Sequence, residues 1–341
     1  MSKKLFRWTA VVALAATVAI IAAACGGDTT PPTGQGGQAT SPAEPFKVAI
    51  VAPSAPNDLA FTQSMVDAID RLKGTYNLEV AVSDSLFVVE DAAAAIRDYA
   101  GKEYDLVIAH GSQYGGSVQE IAPDFPGVSF AWGTAGDTFG LANVFAYQAA
   151  SDQGGYVMGQ MAAALTKSGV IGVVGPIEVG DAKLFVDGFK NGALEGKPGV
   201  DVKVNYTGSF SDVALASEAA KSFIQAGADV MTGSAQMVVG AVGVAKEDNA
   251  AWFGTQSNQT SLAPNVVVAS QVYHWEVVIS QMIDAIKSGT LGGKTYDITL
   301  ANGGEVIEFN PAYPLSPDLQ TVADEAIEGI KNGSITTGAS A

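Results

Sequence analysis

Flat rings and primary amides recur along this chain just past short apolar runs. Phe61, Tyr114, Trp132, Phe210, Tyr273 and Trp275 supply ring faces; Gln113, Gln236, Gln256, Asn258 and Gln259 supply amides. Stacking on a ring is worth ~1–3 kcal/mol per base-like partner. An amide pairs one donor group with one acceptor and so fits the edge of a heterocycle. Singly, each ring also suits plain core packing. As a set they point to a pocket for a small, planar, neutral solute.

Covalent and acid–base chemistry has little to work with. Gly-x-Ser-x-Gly and the phosphate-loop pattern are absent, and Ala52-Pro53-Ser54 stands where a dinucleotide site would carry glycines. His110 and Ser112 are neighbours on one stretch with no third member in view. His274, between Tyr273 and Trp275, suits packing or hydrogen bonding better than base chemistry. Asp58, Asp137, Asp181 and Asp212 read as helix caps or loop charges. Two histidines and one cysteine support neither a zinc site nor a disulfide framework. The expectation is a binding protein rather than an enzyme, with no cofactor and no metal.

The elements that must position these residues alternate. Apolar, β-branched runs at 47–52, 78–82, 105–109 and 128–132 read as buried strands, separated by helical spacing at 57–73, 89–100 and 116–122. After 143–147 and a helix over 151–166 the alternation restarts. Strands are expected at 169–174, 200–206, 229–232, 251–254 and 266–270, with helices at 181–194, 212–226, 238–246 and 275–287. Short strands at 296–300 and 305–309 precede an amphipathic helix over 317–332 and a frayed tail. Strand–helix alternation means parallel sheets covered on both faces, here in two successive α/β lobes. Ligands of such sheets lie beyond the carboxyl ends of the strands, where the rings and amides fall.

Composition narrows the partners. The 341 residues carry a formal charge of −17, with 48% hydrophobic and 16% charged residues. A large core is affordable, and nucleic acid and anionic surfaces are poor partners. The single cysteine, Cys25, ends an apolar run that follows Lys3, Lys4 and Arg7. That run is shorter than the ~20 residues a bilayer span requires. Basic residues, an apolar stretch and Ala22-Ala23-Ala24 before a cysteine look like a bacterial lipoprotein signal over 1–24. Cys25 would take the lipid, and the Gly- and Pro-rich stretch 25–45 would be a tether.

Several stretches then resemble a known family in order and spacing. They are Asn57-Asp58-Leu59-Ala60-Phe61-Thr62-Gln63, Gly154-Gly155-Tyr156-Val157-Met158-Gly159, Tyr206-Thr207-Gly208-Ser209-Phe210-Ser211-Asp212, the run from Gln225 to Val230, and the run from Gln259 to Pro264. The chain resembles the basic membrane protein family of PnrA-like substrate-binding lipoproteins over nearly all of the stretch past the tether. The resemblance implies a type I periplasmic-binding-protein fold, with two lobes joined by crossover strands that close on a ligand as a hinge. Lobe 1 would span 46–148, with 258–292 returning to it. Lobe 2 would span 149–257, with 293–334 returning to it, and 335–341 would be the tail. The implied partners are a small-molecule ligand, the permease and ATPase of an ABC importer, and the membrane through a lipid anchor on its extracytoplasmic face.

The resemblance also implies a site. Asn57, Asp58, Phe61 and Thr62 would lie at the ligand, with Phe61 stacked on a purine base and Phe210 opposite it. Tyr114, Trp132, Gln236, Gln256, Tyr273 and Trp275 complete the expected set, with Trp275 entering the pocket. Thr62 stands where nucleoside binders carry Asn, Gln256 where they carry a ribose-binding Asp, and Tyr273-His274-Trp275 where they carry Lys. A nucleoside, a free base and a flavin-like heterocycle all stay open, as does a role in sensing. A sugar site would call for arginines, and beyond the signal only Arg71 and Arg97 occur, both on predicted helices.

Overall fold

Runs rich in Val, Ile and Ala build two six-stranded sheets in the computed structural model of the protein, which describes residues 44–340. Cys25, the signal and most of the tether lie outside the described residues. The first sheet begins with β1 (Phe46–Val51), α1 (Phe61–Leu72), β2 (Leu78–Ser83), α2 (Val89–Gly101), β3 (Leu106–His110), α3 (Gly115–Ile121), β4 (Ser129–Gly133) and β5 (Val144–Ala149). The second holds, with its helices, α4 (Ser151–Leu165), β6 (Val170–Gly175), α5 (Gly180–Gly196), β7 (Asp201–Tyr206), α6 (Val213–Gln225), β8 (Val230–Gly233), α7 (Val239–Glu247), β9 (Ala251–Gln256) and β10 (Val267–Tyr273). The chain returns to lobe 1 for α8 (Glu276–Lys287) and β11 (Lys294–Ile298), then to lobe 2 for β12 (Glu305–Phe309) and α9 (Pro317–Lys331).

The strand orders are β2-β1-β3-β4-β5-β11 and β7-β6-β8-β9-β10-β12. Every pairing is parallel except β12 on β10. Central strands such as β1 and β3 are apolar without alternation because helices cover both faces. Lobe 1 has one core under α1 and α8, around Met65, Ile69, Val278 and Met282, and another under α2 and α3, around Ile96 and Val118. Lobe 2 repeats the plan, with Met158, Phe185 and Leu319 on one side of its sheet and Ala220, Val242 and Trp252 on the other.

Three crossovers join the lobes, and they are stitched to one another. The Ala150 amide donates to the Ile298 carbonyl at 2.9 Å, and the His274 amide donates to the Gly304 carbonyl at 2.7 Å. The return expected for 258–292 therefore needs correction. β10 pairs with β9 in the second sheet, so the chain crosses only after Tyr273. Likewise β11 pairs with β5 in the first sheet, so residues 294–298 belong to lobe 1 and not to the stretch expected in lobe 2. As far as Ser340 the tail is not frayed. The Ile335 side chain sits against Gly329, Asn191 donates to the Thr337 carbonyl at 2.9 Å, and Lys183 donates to the Ser340 carbonyl at 3.1 Å.

One packing feature fixes α5, and through it the edge of the cleft. α4 and α5 cross backbone to backbone. A Cβ on Gly159 would lie 2.1 Å from the Phe189 carbonyl oxygen, and one on Gly192 would lie 2.1 Å from that of Tyr156. Only glycine admits this approach. The spacing of Gly155 and Gly159 is thus the footprint of a helix seam.

Candidate functional site

A cleft enclosing about 470 Å³, its mouth included, lies between the carboxyl ends of the two sheets. Lobe 1 contributes Pro53, Phe61, Phe87, Gly111, Ser112, Gln113 and Thr134. Lobe 2 contributes Val179, Asp181, Ala182, Phe210, Ser234, Ala235, Gln236 and Gln256. The lining is close to half polar, with three phenylalanine rings set among amides, hydroxyls and one carboxylate.

Phe61 is positioned from both sides. The helix starts four residues later than the sequence suggests, because Asp58 caps it from outside. Its carboxylate accepts from the amides of Ala60, Thr62 and Gln63 at 2.9, 3.1 and 3.1 Å and from the Ser54 hydroxyl at 2.6 Å. Three backbone donors satisfied by one side chain hold the turn that carries Phe61. One face of the Phe61 ring lies on the His110 imidazole, with centroids 3.8 Å apart and planes within 7°. His110 is fully buried, and burial pushes its pKa down to about 3. The Phe61 carbonyl can only accept, so the His110 Nε2–H donates to it at 3.1 Å, while Nδ1 accepts from the Tyr147 hydroxyl at 2.8 Å. His110 is therefore a neutral backing plate and not a base.

Seven expected site residues lie outside the lining, four of them rings that stand behind the cleft. Trp275 is fully buried in the lobe 1 core, edge-on to His110, Tyr147 and Tyr273, with its indole N–H on the Ser64 hydroxyl at 2.9 Å. Tyr273 is buried beside it. Tyr114 is buried and donates to the Leu86 carbonyl at 2.7 Å, holding the loop from which Phe87 reaches the cleft. Trp132 stacks on Phe139 and donates to the Ser112 carbonyl at 3.3 Å, steadying the loop of Gln113. Thr62 is buried against the Ser54 hydroxyl at 2.7 Å, and Asn57 is exposed away from the lining. Asp58 spends its oxygens on the turn. Asn258 and Gln259 also lie outside the lining. Gln259 bridges the Trp252 indole and the Thr255 carbonyl, and Asn258 donates to Glu308. Phe61, Phe210, Gln113, Gln236 and Gln256 do come together.

The sequence reading passes over Pro53, Phe87, Thr134, Val179, Ser234 and Ala235, and takes Asp181 for a cap. Most of these sit at strand ends already singled out by the alternation. Phe87 follows the edge strand β2, whose end that reading does not mark. Ala235 and Gln256 are non-glycine residues at φ 73° and 71°, a conformation that costs of order 1 kcal/mol. Both line the cleft.

Among the described residues, Asp181 is the one ionisable side chain lining the cleft. It lies in the first turn of α5, and its Oδ1 accepts from the Thr134 hydroxyl of the other lobe at 3.2 Å. Oδ2 is buried with no hydrogen-bond partner, and so is Oε1 of Gln256. Burial raises the Asp181 pKa to about 6, against the smaller pull of Thr134 and two backbone amides. The residue keeps some accessible surface, but that surface belongs to the cleft it lines, so desolvation governs. No group of side chains among the described residues could hold a metal ion, and no described helix is long and apolar enough to cross a membrane.

Two parallel-sheet lobes, a triple crossover and a lined cleft between strand ends define a solute-binding protein of the type I periplasmic kind. Its solved likenesses agree: a solute-binding protein of an ABC transporter system from Conexibacter woesei superposes with a TM-score of 0.71 at 25% identity, covering 85% of this chain and 98% of that one. Residues 46–339 match the family described as ABC transporter substrate-binding protein PnrA-like, and the chain belongs to that family. A purine-binding protein of Brucella abortus is 26% identical over 88% of this chain and 85% of its own length. A transcriptional activator, Med of Bacillus subtilis, is 25% identical over 79% of this chain and 83% of its own. Membership makes this chain a substrate-binding protein of the ABC-transporter kind.

Proposed function

We propose that this protein captures a flat nitrogen heterocycle, a purine base or its nucleoside, and delivers it to the permease of an ABC importer. The observation that carries the reading is the pairing of Phe61 and Phe210, which line one cleft from opposite lobes with Gln113, Gln236 and Gln256 at its edges. A ring held between two lobes stacks fully only when the lobes close, so binding and closure are one event. The purine-binding relative supports the choice of base. On this reading Cys25 carries a diacylglyceryl anchor on the outer face of the membrane.

The test uses the domain from residue 44 onward, unfolded, freed of carried ligand and refolded. Calorimetric titration with adenine, guanine, adenosine, guanosine, riboflavin and ribose should give tight binding of at least one purine. Phe61→Ala should lose about 1–3 kcal/mol of that affinity, measured where the variant is still folded, since the ring also packs on His110. Riboflavin or ribose as sole ligand, or normal purine binding by Phe61→Ala, would show the cargo or the pocket to be wrongly assigned.

A further inference from the structure

Two buried acceptors in one cleft, each without a donor, state what a ligand must bring. Asp181 Oδ2 and Gln256 Oε1 are both out of reach of solvent and unpaired, and both residues line the cleft. Gln256 is 4% exposed and held at φ 71°, so its amide is a placed group and not a roaming one. A buried acceptor left unmet is costly, and a buried carboxylate more so. No cation among the described residues compensates Asp181. Lys183, two residues on, is tied to Asp187 at 2.5 Å, and His110 is neutral.

We propose that Asp181 and Gln256 form a two-acceptor clamp for the N–H donors of an amino-substituted heterocycle, and that ionised Asp181 selects such ligands over their unsubstituted parents. The inference rests on the reading of the cleft as a heterocycle site and names the class of heterocycle it takes. An exocyclic amine, alone or with a neighbouring ring N–H, supplies the two donors. A ring whose edge carries only acceptors meets like against like. A ligand with a negative charge would meet an uncompensated carboxylate and is excluded.

Ionisation makes the preference depend on pH. The empty site holds Asp181 near a pKa of about 6 through burial. Acid protonates it, converts Oδ2 from acceptor to donor, and removes the preference. The groups around it are Tyr147, Tyr273 and Glu305, whose charged forms it would feel, and Thr134, which donates to it. Both tyrosines stay protonated far beyond neutrality. Glu305 is also held protonated well above its usual range by burial. An isosteric change at Asp181 separates its titration from that of Glu305.

The experiment compares two ligand pairs that differ by one amino group, adenine against purine and guanine against hypoxanthine, on wild type, Asp181→Asn and Thr134→Val at pH 8 and pH 5. Wild type at pH 8 should bind the amino member at least tenfold tighter in one pair. Asp181→Asn should weaken that member tenfold or more, leave its parent within about threefold, and show no further loss at pH 5. Wild type at pH 5 should fall toward the variant. Thr134→Val removes a donor that stabilises the carboxylate, so its loss of preference should set in at higher pH. An amino preference that survives Asp181→Asn, or equal weakening of both members, overturns the clamp and leaves the purine reading intact. If wild-type protein is silent toward all four bases, the same comparison is made with their ribosides, and silence there as well overturns the purine reading and the clamp with it.

Discussion

At the scale of single residues, the cleft stores an unfavourable charge. Asp181 binds its proton more tightly in the folded chain than a free carboxyl does, so its contribution to stability is greatest below pH 3.8 and is lost as pH rises through about 6. Asp181→Asn removes that loss. The empty variant should be more stable than wild type by on the order of 1–3 kcal/mol at pH 8, with the gap closing by pH 4, read as a thermal midpoint at each pH. A midpoint lowered at pH 8 would mean that the carboxylate is already satisfied in the empty protein. Rings and amides past strand ends announce a pocket in the sequence, and Phe61, Phe210, Gln236 and Gln256 are found there. The sequence does not separate them from Trp275 or Tyr114, because a parallel sheet buries both faces and needs large rings behind the pocket as well as in it. Asp181 is harder still to read. An acid in the first turn of a helix is ordinary, and only the opposing lobe makes this one a lining group.

Among the elements, α4 and α5 bear the tightest constraint. The seam of Gly155, Gly159, Gly188 and Gly192 leaves no room for a methyl group. Gly192→Ala should therefore cost at least ~1–3 kcal/mol, since the added Cβ meets a backbone carbonyl that cannot swing aside. Gly243→Ala in α7 is the control. Nothing lies within 4 Å of its Cβ, and the better helix propensity of alanine should leave stability equal or slightly raised. Denaturant midpoints of the two variants decide this, and equal midpoints would refute the seam. The element order was legible because strands and helices alternate with clear periods. The lobe returns were not. β10 runs three residues past the end expected at 270, through Gln271 to Tyr273, and the buried Gln271 side chain lies at the crossover where alternation gives no signal.

For the molecule as a whole, capture is useful only if the captor stays at the membrane. On the proposed reading, two acyl chains on Cys25 would anchor the protein where one would give only marginal binding, since each buried CH₂ adds ~0.8 kcal/mol. Cys25→Ser in the full chain should move the protein from the membrane to the soluble fraction without changing ligand affinity, and a variant that stays with the membrane would point to another anchor. The lobes touch across the cleft through a few small contacts. Besides Thr134 on Asp181, the Ser257 hydroxyl donates to the Ala60 carbonyl at 2.8 Å. The helix seam lies apart from all of these. Every single-base change in a glycine codon that replaces the residue adds at least a Cβ, so drift at Gly159 or Gly192 is blocked whatever the cargo. A glycine pattern of this sort is inherited as masonry: it tells a reader who the ancestors were, and nothing of what this descendant carries.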